Sequence, residues 1–222
     1  MEQADYLKVD STRVSFGDYW RWKPGLPFLY LALRKLLRWR LPTTVLVPAL
    51  PRLQRIDPTD APAGLRAALG DPIAACQRAH FQISFWYQVP TLGTNMGLAA
   101  ALLGPSSLSV ALATAAEAQG GLYRDVTLGL VSRLRGSRLL ATGAGKTFFA
   151  PPPEVDAIRL PGRSFDELIA AHESRIPQLE GRIVAVVDVE RLILDLQSYH
   201  TRACVARGVY VPASTDEVRR FS

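Results

Sequence analysis

"FQISFWYQV", residues 81–89, carries the clearest two-residue alternation in the chain. Phe81, Ile83, Phe85, Tyr87 and Val89 alternate with Gln82, Ser84, Trp86 and Gln88. A period of two places successive side chains on opposite faces of a strand. This stretch therefore reads as a half-buried β-strand and sets the expectation of an antiparallel sheet.

The segments that follow extend the sheet. "MGLAAALLG" and "SSLSVALATAA" flank Gly104-Pro105-Ser106, and "YRDVTLGLVSRL" and "RLLATGAG" flank Gly136-Ser137. Apolar runs bracketing short turn signals read as β-hairpins. Alanine is also a strong helix former, so the first pair has helical composition as well. Val126, Leu128, Leu130 and Leu134 are assigned to one face of the second hairpin.

Helices are expected on either side of this meander. Upstream, "DAPAGLRAAL" and "GDPIAACQRA" read as short helices, with Asp60 and Asp71 as expected caps and Pro72 at a first-turn position. Downstream, "SFDELIAAHESRI" has the capping-box pattern of Ser164 with Glu167 three residues on. "GRIVAVVDV" fits either a strand or the start of the next helix. "DVERLILDLQSYHTRACVARG" carries a stripe of Val189, Leu192, Ile193, Leu196, Tyr199, Ala203 and Cys204, with Gly208 as the expected C-terminal cap. The resulting fold class is α+β: a meandering antiparallel sheet over about residues 81–150, helices before and after it, and an N-terminal amphipathic helix.

That first helix is expected from Pro27 to Arg40. Proline suits a first helical turn, and the residue before Pro42 resists the helical region. Residues 1–42 hold Trp20, Trp22 and Trp39, three of the four tryptophans. Leu26 to Leu33 is apolar apart from one tyrosine hydroxyl, after which Arg34, Lys35, Arg38 and Arg40 arrive together. Tryptophans beside a short apolar helix with a basic end suit a membrane interface or a partner surface. The expected organisation is a 1–42 aromatic and basic arm followed by a single 43–222 domain. Prolines 48, 51, 58 and 62 hold the start of that domain, Thr43–Pro62, extended.

The chain has 222 residues, a net charge of +6 and 48% hydrophobic residues, enough for a core and basic enough to favour acidic partners. Lysine occurs only at 8, 23, 35 and 146, so arginine supplies most of the charge; asparagine occurs only at 95. This is the usage of a GC-rich, bacterial genome. Cys76 and Cys204 form no CxxC pair and no disulfide framework, which fits a reducing cytoplasm. The beginning "MEQADYLKVD" has no secretory pattern, and no run reaches the length of a membrane span.

"ATGAGKTFFAPPP", residues 141–153, ends like a phosphate-binding loop at Gly145-Lys146-Thr147. The pattern G-x-x-x-x-G-K-[ST] requires glycine at 140, which is Leu, and a helix after Thr147, where three prolines follow instead. It is not a P-loop, and no cofactor is expected. The histidines 80, 172 and 200 lack metal-ligand spacing, so no metal is expected either.

Three functions are compatible with these residues. The favoured expectation is a non-enzymatic binding module, peripheral to the membrane or attached to a partner protein, that docks through Trp20, Trp22, Arg34, Lys35, Arg38 and Trp39. The second is a small metal-independent, hydrolase-like enzyme using His172 with Glu173 or Asp166 as acid–base partner. The third is a nucleic-acid binder using the Arg133–Arg138 hairpin, with Arg133, Arg135 and Arg138 around its turn.

Overall fold

The computed structural model describes residues 5–22, 26–38, 45–89, 91–93, 96–118, 123–144, 149–179 and 181–221. The sheet is built from the segments that alternate. β4 (Gln82–Gln88), β6 (Met96–Leu103), β7 (Val110–Ala118), β8 (Tyr123–Leu134) and β9 (Arg138–Gly143) run antiparallel in sequence order. β3 (Gln54–Ile56) adds to the β4 edge, and β10 (Val155–Arg159) lies parallel to β9 at the other. A two-residue strand, β11 (Ile183–Val184), pairs with the end of β8. The protein is α+β, and both hairpins form where the turn signals fall.

Both faces of this sheet are covered. On one, Leu98, Leu102, Leu128 and Leu130 pack against α3 (Ala63–Ala68), α4 (Gly70–Arg78) and α5 (Phe165–Glu173) through Leu65, Ile73 and Leu168. On the other, Leu112, Val131, Leu139 and Val155 pack against α6 (Val189–Ala206) through Leu192, Ile193 and Tyr199. Alanines 99, 100, 101, 111, 113 and 115 are buried in these layers. Cross-strand pairing has overridden their helical propensity.

The remaining elements form a second, four-stranded sheet. Its order is β12 (Tyr210–Pro212), β1 (Tyr6–Val9), β2 (Val45–Pro48) and β5 (Leu92–Gly93). Two helices near the start, α1 (Phe16–Trp22) and α2 (Leu26–Leu36), lie beside it, and α7 (Thr215–Phe221) follows it. Val14, Tyr19 and Leu31 share a buried cluster with Phe149, Cys204 and Val209, so the N-terminal stretch and the last third of the chain build one core together.

Several local expectations are corrected. The alternation of residues 81–89 does not keep one face. Ile83 pairs with Leu102 and Phe85 with Ala101, so β4 advances two residues while β6 advances one. The extra residue, Ser84, makes a bulge that turns the later side chains over. Phe81 and Trp86 thus join the α3–α5 core, whereas Phe85 and Tyr87 join the α6 core. Asp60 and Asp71 do not cap: α3 starts after Pro62, and Asp71 lies inside the first turn of α4. The Ser164–Glu167 capping box forms as expected, and Gly208 takes φ +68° past the end of α6. Strand character ends at Val184, and α6 starts after the Asp188 cap, which separates the two readings of 183–189.

Candidate functional site

α2 has two apolar faces and only one of them is covered. Leu31 is buried, Phe28 is half-buried, and Lys35 turns its Nζ inward to the carbonyls of Thr12, at 3.1 Å, and of Val14. On the other side Leu26, Leu29, Tyr30, Leu33 and Leu36 are each more than half exposed, and Leu37 is nearly so. At 100° per residue these six fall within about 120° of arc, a continuous outward row. α1 adds exposed Phe16 and Trp20, the latter edge-on to Phe28 at 5.1 Å between ring centroids.

The cations around this row are unequal. Arg34 donates to the Tyr30 hydroxyl at 2.6 Å and lies 5.5 Å from the centre of that ring. Arg38 is exposed in the turn after the helix, at φ +55°. Arg34, Lys35 and Arg38, which arrive together in the sequence, therefore do not share one outward face, because Lys35 is drawn into the body and Arg38 stands in the turn beyond the helix. Trp22 ends α1, while Trp39 and Arg40 lie outside the described residues. The one carboxylate of α1 and α2, Asp18, is buried on Arg207 and accepts from the Ala150 amide at 3.1 Å. The outward surface of these two helices is thus free of acidic side chains among the described residues.

The residues considered for acid–base chemistry are dispersed. His172 is fully buried between Ser132 Oγ at 2.9 Å and Thr142 Oγ1 at 3.0 Å. Burial, helped by Arg175, lowers its pKa to about 4. Glu173 accepts from Ser109 Oγ at 2.8 Å, and Asp166 faces outward to Arg78 at 3.0 Å. No described cavity brings His172 together with either carboxylate. Cys204 Sγ lies 3.7 Å from His200 Nε2, but burial raises the thiol to about 11 and lowers the imidazole, so both groups stay neutral. Among the described residues no group of three or more His, Cys, Asp or Glu is placed to hold a metal ion.

The Arg133–Arg138 hairpin is split in the same way. Arg133 pairs with Asp195 at 2.7 Å, whereas Arg135 and Arg138 are exposed. A surface cleft of about 780 Å³ beside it mixes Arg133, Arg191 and Arg202 with Glu154, Asp188 and Asp195. Gly145–Thr147 lies outside the described residues.

A different cavity, of about 490 Å³, lies between the sheet and the second half of α6. Sequence reasoning gave no sign of it. Its floor is set by register: Leu112 pairs with Gly129, Gly129 with Gly143, and Gly143 with Arg159. The next row across is Val131, Ala141 and Ala157. Leu196, Gln197, His200 and Thr201 of α6 form the opposite wall, closed by Phe149, Pro152 and Tyr210. A Cβ on Gly129 would meet nothing closer than the Thr142 carbonyl at 3.9 Å.

The chain matches no protein-family model, no curated protein and no solved structure. No helix of the described residues is long and apolar enough to cross a membrane.

Proposed function

We propose that this protein is a non-enzymatic binding module that attaches peripherally to an anionic lipid surface through α1 and α2. The observation that carries this reading is the outward row Leu26, Leu29, Tyr30, Leu33, Leu36 and Leu37. Apolar side chains at helical spacing lose contact with water when they enter the headgroup–acyl boundary, at about 25 cal/mol per Å² buried. The choice of lipid over a partner protein rests on what surrounds the row. Arg34 and Arg38 flank it, Trp20 and Tyr30 bring amphipathic rings suited to headgroup depth, and its carboxylate, Asp18, is buried. The +6 net charge favours the same surface at long range.

The test uses the full-length chain and its Leu29→Glu/Leu33→Glu variant in co-sedimentation with phosphatidylcholine vesicles, with and without phosphatidylglycerol. Wild type pellets with the anionic vesicles, less so as salt screens the arginines. The variant stays in the supernatant with an unchanged melting temperature, since neither leucine packs inside. Wild type remaining soluble, or the variant pelleting as wild type does, refutes the assignment.

A further inference from the structure

The geometry points to the cavity beneath α6 as a binding site for a single-chain amphiphile, its apolar body lying over the glycine–alanine floor and its anionic headgroup meeting Arg159 and Arg52. The site uses no residue of α1 or α2 and is independent of how the protein attaches to a surface.

Its shape follows from side chains that are missing in the right places. The first half of α6 packs onto the sheet with Leu192 and Ile193 against Val131 and Leu139. Opposite the second half, β8 and β9 present Gly129, Gly143 and Ala141, and β10 presents Ala157, so no side chain rises to fill the gap. A strand interior normally disfavours glycine, which packs nothing and has more freedom to lose. Two glycines paired directly across neighbouring strands keep the floor low. The volume, about 490 Å³, lies within the ~300–1,000 Å³ range of small-molecule pockets.

The ligand's charge follows from the lining. Among the described residues the wall holds Arg52 and Arg159 and no carboxylate. Burial holds His200 below its ordinary pKa and therefore neutral, and the remaining polar side chains are uncharged. Arg159 ends the glycine row and donates to the Phe149 carbonyl at 3.0 Å, which aims its guanidinium along the wall. Arg52, Val89 and Pro151 are the exposed lining residues and mark the mouth. A cation there meets an anionic head in partly screened surroundings, where a charge-assisted bond is stronger than a neutral one.

Calorimetric titration of the full-length chain with decanoate, 1-decanol and decyltrimethylammonium, all kept monomeric, tests each part. Decanoate binds once per chain, decanol roughly tenfold more weakly, and the ammonium not at all. Gly129→Val fills the floor with a residue that strands favour, so its melting temperature is not lowered, yet affinity for decanoate falls by roughly tenfold or more. Arg159→Gln lowers decanoate affinity towards that of decanol and leaves decanol unchanged. Leu29→Glu/Leu33→Glu binds decanoate as wild type does, which separates this site from the lipid-docking row. The proposal is overturned by absent decanoate binding, by equal affinity for the cation, by undiminished binding to Gly129→Val, or by loss of binding in the α2 variant.

Discussion

His172 has a hydroxyl on each ring nitrogen, Ser132 on one side and Thr142 on the other, and no route to water. It is a buried polar group satisfied in place, and that has a measurable consequence. Burial lowers its pKa from 6.5 to about 4, so the unfolded chain binds the extra proton over that interval and the folded one does not. Stability linked to this group is complete above pH 6.5 and is lost as pH falls towards about 4. From neutral pH to pH 5 the loss is about 2 kcal/mol. His200 shifts in the same direction, so the comparison must isolate one ring. His172→Gln is expected to be less stable than wild type at neutral pH but to lose about 2 kcal/mol less on acidification. Urea unfolding at both pH values measures this; parallel losses in the two proteins would show that the ring is protonated in the folded state as readily as in the unfolded chain.

Among the elements, the β6–β7 hairpin shows how closely this sheet is fitted. A Cβ on Gly104 would stand 2.8 Å from Ser109 Oγ and 3.2 Å from both the Phe81 ring and the Ser109 carbonyl. Ser109 cannot yield easily, since it is fully buried and donates to Glu173 of α5. Gly104→Ala should therefore cost about 1–3 kcal/mol, as overpacking does. Gly97→Ala, in the same strand pair, meets only the Ala115 carbonyl at 3.9 Å and should cost nothing or stabilise slightly. Denaturant midpoints of the two variants check the contrast, and equal midpoints would contradict it. The hairpins themselves were legible in the sequence because alternation and turn residues are local signals. The bulge at Ser84 was not, since two strands must be laid side by side before an extra residue becomes visible. The cavity floor was hidden for the same reason: Gly129 and Gly143 are far apart in sequence and become neighbours only through register. The helix row was legible as an apolar, basic segment. Which face turned outward depended on the packing of Leu31 and the anchoring of Lys35, contacts that span long stretches of chain.

At the scale of the whole molecule the two ends of the chain close one structure. β1 is an interior strand of the smaller sheet, paired with β12 on one side and β2 on the other, and Lys8 Nζ reaches Glu217 of α7 at 2.5 Å. Asp18 of α1 joins Arg207 at the end of α6 and the Ala150 amide beside the cavity wall. Deleting residues 1–42 would remove the central strand, leave β12 without its partner, and strip Val14, Tyr19 and Leu31 from the cluster that holds Phe149, Cys204 and Val209. Arg207 would lose its buried carboxylate. Phe149 and Tyr210, which close the cavity beneath α6, stand directly on that cluster. Residues 43–222 alone are therefore expected to retain the larger sheet, with its own two cores, but to unfold at lower temperature and to bind decanoate weakly. Near-ultraviolet circular dichroism, thermal unfolding and decanoate titration of the truncated chain test this together. A truncated protein that melts as the full chain does, with the same decanoate affinity, would establish 1–42 as a separable arm; a destabilised one means that α2 is mounted on the same framework that walls the cavity.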